Sequence, residues 1–310
     1  MTSPLHDQLR ALNINLNPAH KRDRVWLKRF EMNALPNAVP SPFLQRVKPG
    51  EKIRLVLPPS LSRESLFSIR LEIGEEAVVT LIDPMTPPMN PVRFVHVEIG
   101  ARASVRWLGV QQNDLSSTTF NSKRFSLAEG ARLDYFHHVL GGRLSYDETT
   151  IDLNGAKSSA HSQTVFFGLD RQEQDMRVTH CHSGRDTVSR MVSKGAVKDQ
   201  AHGFFWGMIR MEPGCDGADG YLEEHNLLLS DRAKIDAVPG LEIGHHNVKA
   251  GHAATMERVD EEKLFYLASR GIPKEEGMKL IVEGFFKDAI DKTQNEAFAK
   301  TIFDTILKAL

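Results

Sequence analysis

The sequence predicts a mainly β protein, in which a β-helix (solenoid) core is flanked by N-terminal and C-terminal α-helical segments. Hydrophobic and polar residues alternate in many short segments between residues 53 and 251, a period typical of strands. A small residue, usually Ala, recurs after several of these segments, where the backbone of a stacked coil would turn sharply. A sandwich or barrel is the alternative, but its corners do not require a recurring small residue.

The N-terminal segment, residues 1–49, is predicted to be helical and then to form a linker. Leu5, Leu9, Leu12 and Leu16 recur at steps of three and four residues, which places them on one helix face. Three prolines between residues 36 and 42 then interrupt regular structure.

The predicted solenoid core spans residues 50–256. In one of its strands, Val95, Val97 and Ile99 alternate with His96 and Glu98. No helix-length periodic segment separates the strands convincingly, which argues against a βαβ fold. One turn of the solenoid is called a rung below. The small corner residues are predicted to be Ala77, Ala103, Ala131, Ala156, Ala196, Cys215 and Ala233.

A C-terminal helical domain is predicted over residues 257–310. Gly271 and Pro273 end a first helix, and Lys274 begins a second one. Four-residue steps from Phe298 to Leu310 predict a third helix.

The charge balance and the Cys content of the chain argue against several classes of function. The chain has 310 residues and a formal net charge of −1, which gives no broad electrostatic case for nucleic acid or anionic membranes. Two Cys do not make a disulfide framework. The first ten residues contain no apolar run of the signal-peptide type, and no stretch approaches the roughly 18 apolar residues of a membrane helix. We therefore expect a cytoplasmic protein.

The most informative residue for chemistry is Cys215, which takes a corner position that Ala holds elsewhere. It could simply fill an Ala site as a small hydrophobic residue. Alternatively, Glu223, Glu224 and His225 could approach it, and a thiolate, a carboxylate and an imidazole together could bind iron or zinc. The parity of His225 with Leu227 predicts that it points inward.

Other His residues are weaker metal candidates. His180 and His182 share one strand face, with Cys181 on the other, and such a pair is more often simply a solvated strand face. His245 and His246 lie near the end of the solenoid. A hydrogen-bonded core His is the alternative for each. The chain shows none of the nucleophile-elbow, phosphate-loop or Cys-x-x-Cys motifs.

An ordered series of motifs runs through the C-terminal part of the chain: Ser189–Ala196, Asn226–Asp231, Asp236–Ile243, Val248–Thr255, Val259–Ile272 and Glu275–Phe285. This series resembles the SufB/SufD family of iron–sulfur cluster assembly proteins, and the resemblance is strong over residues 187–290. The resemblance implies a right-handed parallel β-helix and a scaffold that is not itself an enzyme. It also implies a SufC-like ABC ATPase as partner, a self-dimer or a SufB/SufD-like sister subunit, and apo iron–sulfur proteins as recipients.

The resemblance also implies site residues. His252 falls on the SufD-type His at the dimer interface, and Glu224 falls where SufB has its ligand Cys. A transient [4Fe–4S] or [2Fe–2S] cluster bound by Cys215, Glu224 and His252 is therefore one hypothesis, with Glu223, His225, His245 and His246 as further candidates. The ATPase is expected to dock on the C-terminal helices, at Leu264, Phe265, Tyr266, Arg270, Gly271 and Phe285.

Two other functions stay open at this point. The chain could be a SufD-like supporting subunit that binds no cluster, because the SufB Cys is absent. It could also be a polysaccharide-active solenoid enzyme, which would need acidic and basic residues along a surface groove. The family-like C-terminal segment argues against that enzyme.

Overall fold

The computed structural model describes residues 43–57, 66–85 and 92–310. The predicted N-terminal helix lies outside these residues. Within the segment predicted as a linker, the described part contains a strand at Phe43–Val47, which pairs with Leu66–Ile73. The first rung therefore begins before residue 50, which is the predicted start of the core.

The described residues form a parallel β-solenoid of about seven turns followed by three helices, which confirms the predicted fold class. Each rung contributes one strand to each of two sheets, one of odd-numbered and one of even-numbered strands, and all neighbouring strands are parallel. The strands are β1 Phe43–Val47, β2 Lys52–Val56, β3 Leu66–Ile73, β4 Val78–Met85, β5 Val92–Ile99, β6 Ser104–Gln111, β7 Thr118–Leu127, β8 Arg132–Val139, β9 Leu144–Leu153, β10 Ser159–Gly168, β11 Glu173–His182, β12 Val188–Val197, β13 His202–Met211, β14 Asp219–Leu228, β15 Lys234–Ile243 and β16 Lys249–Arg258.

A repeated backbone conformation explains the small corner residues. In several turns from an odd to an even strand, one residue has a positive φ and the next is buried. Arg102 has φ 58° before the fully buried Ala103, and Gly130 has φ 64° before the fully buried Ala131. A buried position directly after a left-handed turn has little room for a side chain, which accounts for the Ala.

Two of the predicted Ala corner residues are wrong. Ala156 lies inside a turn, and the buried corner residue of that rung is Ser158. Ala196 lies in β12, and its side chain packs among residues of the C-terminal helices rather than in a corner. In both cases the loops differ in length from one rung to the next, so a constant step along the sequence does not reach the corner.

The C-terminal helices are α1 Glu261–Ser269, α2 Lys274–Asp291 and α3 Glu296–Lys308, close to the predicted positions. Asp260 caps α1 by accepting hydrogen bonds from the N–H groups of Glu262 and Lys263. Gly271, with φ 84°, ends it in the left-handed conformation that glycine adopts without strain.

Helices α2 and α3 pack on the outer face of the even-numbered sheet. Val282, Phe286 and Ile302 are buried there against Phe136 and Val165 of the strands. A separate core fills the inside of the solenoid between the two sheets. No helix in the described part is long and apolar enough to span a membrane.

The last rung, formed by β15 and β16, differs from the others because its inward-facing side has no rung above it. Leu241 and Ile243 share the inward parity of the buried Ile235, yet they are 36% and 48% exposed. Met256 on β16 is 47% exposed. We call this surface the open end of the solenoid.

Candidate functional site

Glu224 points into the solenoid next to the open end. It lies on β14 between Ser193 of β12 and Ala254 of β16 in the strand register. Its side chain is fully buried, and neither carboxylate oxygen has a hydrogen-bond partner among the described residues. Burial raises the pKa of Glu224 from 4.5 to about 7. A buried carboxyl group without a partner is unusual and points to a role beyond packing.

Cys215 lies in the turn between β13 and β14, where it is fully buried and its N–H donates to the carbonyl of Glu212. The corner residue of this rung is instead Ala218, which directly precedes β14 and donates its N–H to the carbonyl of Cys215, just as Ala103 donates to Gly100. The predicted corner position of Cys215 is therefore wrong by three residues, because this turn is longer than the others. The five residue steps from Asp219 to Glu224 span about 16 Å of strand, however. The structure therefore places Cys215 before the start of β14 and Glu224 near its middle, so the two side chains are not brought together.

His252 lies at the open end, where its side chain is exposed. It is in register with Leu222, two residues before Glu224 on the neighbouring strand. From the strand geometry, the Cα atoms of His252 and Glu224 are about 8 Å apart. These two candidates are thus close to each other.

The prediction that His225 points inward is wrong. The inward face of β14 carries the fully buried Leu222 and Glu224, while His225 and Glu223 are on the outer face and partly exposed. His225 Nδ1 is hydrogen-bonded to Thr255 Oγ1 at 3.1 Å. Leu227, which shares the face of His225, is buried under the C-terminal helices instead of inside the solenoid. Its apolar character therefore does not mark the inward face of β14.

His245 and His246 lie in the loop between β15 and β16, with their rings stacked at 5.4 Å. His245 Nε2 is 3.5 Å from Asp216 Oδ1. This pair of His residues lies near the turn that contains Cys215 and away from Glu224.

His180 and His182 face inward and Cys181 faces outward, which confirms the predicted alternation. Both imidazoles are hydrogen-bonded to hydroxyl groups. His180 Nε2 is 2.8 Å from Ser162 Oγ, and the Nδ1 and Nε2 atoms of His182 are each 2.8 Å from a hydroxyl oxygen, of Thr187 and Ser189 respectively. Burial lowers the pKa of His180 to about 3 and that of His182 to about 4. Both therefore stay neutral, as hydrogen-bonded core residues do.

Within the described residues, no three His, Cys, Asp or Glu side chains are close enough to bind one metal ion. The predicted set of Cys215, Glu224 and His252 is not brought together within one chain. Instead, the buried Ser193 and Asn226 lie next to Glu224 on the same inward face. Sequence reasoning missed both residues, although Asn226 has the parity of Glu224.

Further along the interior, charged residues form buried ion pairs. Lys123 Nζ is 2.7 and 2.5 Å from the two carboxylate oxygens of Asp147, and His137 Nε2 is 2.8 Å from the same carboxylate. Arg93 pairs with Asp83 at 2.7 Å. The shared parity of Lys123 with the core residue Phe125 was the available signal for its burial.

The residues predicted to dock a partner fall into two groups. Phe265 and Tyr266 are 77% and 57% exposed on α1, and the guanidinium of Arg270 lies 5.3 Å from the Tyr266 ring centroid. Leu264 is buried, and Phe285 packs on Phe286, so these two stabilise the helical domain. Phe265 and Tyr266 thus form an exposed aromatic surface.

A surface groove of about 420 Å³ on the odd-numbered sheet tests the enzyme alternative. It contains the neighbouring Glu72 and Glu98. Arg46 pairs with Glu72 at 2.7 Å and Arg70 with Glu98 at 2.6 Å. The hydrogen bond from Arg46 lowers the pKa of Glu72, so this carboxyl is no proton donor of the glycosidase type.

The fold and these sites define a parallel β-solenoid protein with an exposed final rung and a C-terminal helical domain that carries an exposed aromatic surface. The family model for SUF system FeS cluster assembly, SufBD core domain, matches residues 67–285. The chain therefore belongs to the SufBD core family, as the sequence motifs indicated.

Curated relatives agree with this assignment. The chain is 30% identical to the iron–sulfur cluster assembly protein SufD of Bacillus subtilis, over 78% of this chain and 57% of that protein. It is 26% identical to SufD of Escherichia coli, over 76% and 57%, respectively. A SufBD family protein of Mycobacterium leprae is 32% identical over 65% and 53%. The chain thus spans a little over half the length of the curated relatives it matches.

Proposed function

We propose that this chain is a scaffold subunit of a SUF-type iron–sulfur cluster assembly complex and that it works with a SufC-like ABC ATPase. The observation that carries this proposal is the open end of the solenoid, where His252 is exposed and Glu224 lies directly beneath the last rung. Iron and sulfide are the cargo in this function, and ATP hydrolysis belongs to the partner.

Association through the open end follows from the same surface. Leu241, Ile243 and Met256 are exposed there, and β15 and β16 are the edge strands of their sheets. Apolar side chains beside unpaired strand edges favour pairing with another chain. A second copy or a SufB/SufD-like sister subunit would bring two such sites together and could supply further cluster ligands.

The ATPase is proposed to dock on the exposed aromatic surface of α1. Phe265→Ala should abolish co-purification with the ATPase, because a large exposed aromatic residue is typical of an interface anchor. Leu115→Ala is the matched control, since Leu115 is also exposed, at 53%, on a solenoid corner outside the helical domain. If both variants co-purify with equal amounts of the ATPase, the ATPase does not dock on Phe265.

A second candidate function is that of a supporting subunit without a cluster of its own. It is favoured by the position of Cys215 before the start of β14, which separates the predicted thiolate ligand from Glu224 and His252. Anaerobic co-purification with the ATPase, followed by assays for iron and acid-labile sulfide, separates the two functions. Absence of both after reconstitution would leave only the supporting role. Normal loading of Cys215→Ala would exclude that thiol as a ligand.

A further inference from the structure

Three adjacent polar side chains inside the solenoid have no hydrogen-bond partner. Among the described residues, the unpartnered atoms are Ser193 Oγ, both carboxylate oxygens of Glu224, and Oδ1 and Nδ2 of Asn226. All three side chains are at most 1% exposed. Leaving a buried polar group without a partner is destabilising, and more so for a charged group. Such a concentration of unpartnered atoms in one place therefore points to a ligand.

The strand geometry brings these groups to one spot. Ser193 and Glu224 are direct neighbours in the register of β12 and β14, where adjacent strands lie about 4.8 Å apart. Asn226 follows Glu224 by two residues on the same strand face, about 6.6 Å along the strand. A single ion between them could contact a carboxylate, an amide oxygen and a hydroxyl oxygen.

The types of donor define the type of ion. Carboxylate, amide and hydroxyl oxygens suit divalent cations that prefer oxygen, such as Mg²⁺, Mn²⁺ and Fe²⁺. The thiol of Cys215 lies before the start of β14, at least about 16 Å along the strand from Glu224, so it does not reach this spot. The carboxylate also supplies a negative charge that would balance part of the charge of the cation.

The position of the three residues provides an entry path. Only β16 separates β14 from the open end, and the residue in register with Glu224 there is Ala254, whose side chain is a methyl group. The exposed imidazole of His252 stands beside this opening. An ion entering from the open end would pass His252 and then reach Glu224.

We propose that Glu224, Ser193 and Asn226 form a binding site for a single oxygen-preferring divalent cation, one rung inside the open end. The choice of Fe²⁺ as the physiological ion rests on the proposed function, and the site itself rests on the buried oxygen donors. This ligand set differs from the predicted one because it uses Ser193 and Asn226 in place of Cys215 and His252.

The test is metal binding by the full chain, without sulfide and without the ATPase. Binding of Mn²⁺ is measured from the loss of the free-ion electron paramagnetic resonance signal, and Fe²⁺ by anaerobic titration calorimetry. We expect about one ion per chain, at least tenfold weaker binding by Glu224→Gln, and a smaller loss for Ser193→Ala and Asn226→Ala. A tenfold loss corresponds to about 1.4 kcal/mol.

Glu223→Gln is the matched control, because it makes the same change one residue away on the outer face and should bind like the wild type. No binding by the wild type at about 1 mM Mn²⁺, or undiminished binding by Glu224→Gln, would overturn the site. Circular dichroism verifies that each variant is folded. If metal binds as expected but the complex never accumulates iron and sulfide, the proposed cluster scaffold fails while the cation site stands.

Discussion

Replacing Glu224 by Gln should make the metal-free protein more stable at alkaline pH. The carboxyl is fully buried without a partner, and its pKa rises from 4.5 to about 7 on folding. Folding therefore favours the protonated form, which Gln resembles in size and neutrality. Below pH 4.5 the group is protonated in both states and carries no penalty; the penalty grows as pH rises and is complete above about 7.

The magnitude follows from the size of this pKa shift. Each pKa unit corresponds to about 1.4 kcal/mol, so a carboxylate shifted from 4.5 to about 7 lowers the free energy of unfolding by about 3 kcal/mol at pH 8. At pH 5 the same calculation gives less than about 1 kcal/mol. With a urea m-value of about 3 kcal/mol/M, the unfolding midpoint of Glu224→Gln should rise by about 1 M urea at pH 8.

The assay is urea unfolding followed by circular dichroism at pH 5 and pH 8, with a chelator present. Glu223→Gln, with its side chain 46% exposed on the outer face, is the control and should show no comparable gain. If Glu224→Gln is no more stable than the wild type at pH 8, the carboxylate has a partner or solvent that the structure does not show, and the reasoning on its burial is wrong.

Other substitutions test the solenoid interior. Lys123→Met should cost about 3–5 kcal/mol in urea unfolding, because it leaves the buried Asp147 carboxylate without its ammonium partner; adding Asp147→Leu should restore part of the loss, and no recovery would argue against the pair. Gly195→Ala should lower thermal stability by about 1–3 kcal/mol, because the new Cβ would lie 1.9 Å from Phe166 Cζ. Gly284→Ala on α2, where nothing lies within 4 Å of the added Cβ, should instead stabilise by up to about 1 kcal/mol. Equal melting temperatures for these two glycine variants would contradict the packing described.

Much of the fold could be predicted from the sequence because a solenoid repeats a local pattern. The period-two alternation and the small corner residues, such as Ala103 and Ala131, depend only on neighbouring residues and the adjacent rung. Ala156 and Ala196 were misplaced because loop lengths differ between rungs, and sequence spacing alone does not show which residues stack.

The candidate site was less predictable, because the direction of a side chain depends on what covers each sheet face. His225 and Leu227 share a face of β14, and an apolar neighbour normally indicates the interior. Here the C-terminal helices bury Leu227 from the outside. Glu224 therefore points into the solenoid, which no local pattern around it indicates.

The way the helices cover the even-numbered sheet has a consequence for local stability. Their apolar residues pack on strands from the middle of the solenoid, including Leu108, Phe136 and Val165, whereas β15 and β16 form the exposed last rung. In a stack where each rung contacts only its neighbours, the free energy of local opening is lowest where such support ends. Amide hydrogens should therefore exchange faster in the last rung than in the middle rungs that the helices cover. The same fraying that exposes those amides would set how often the interior next to Glu224 meets the surrounding solution.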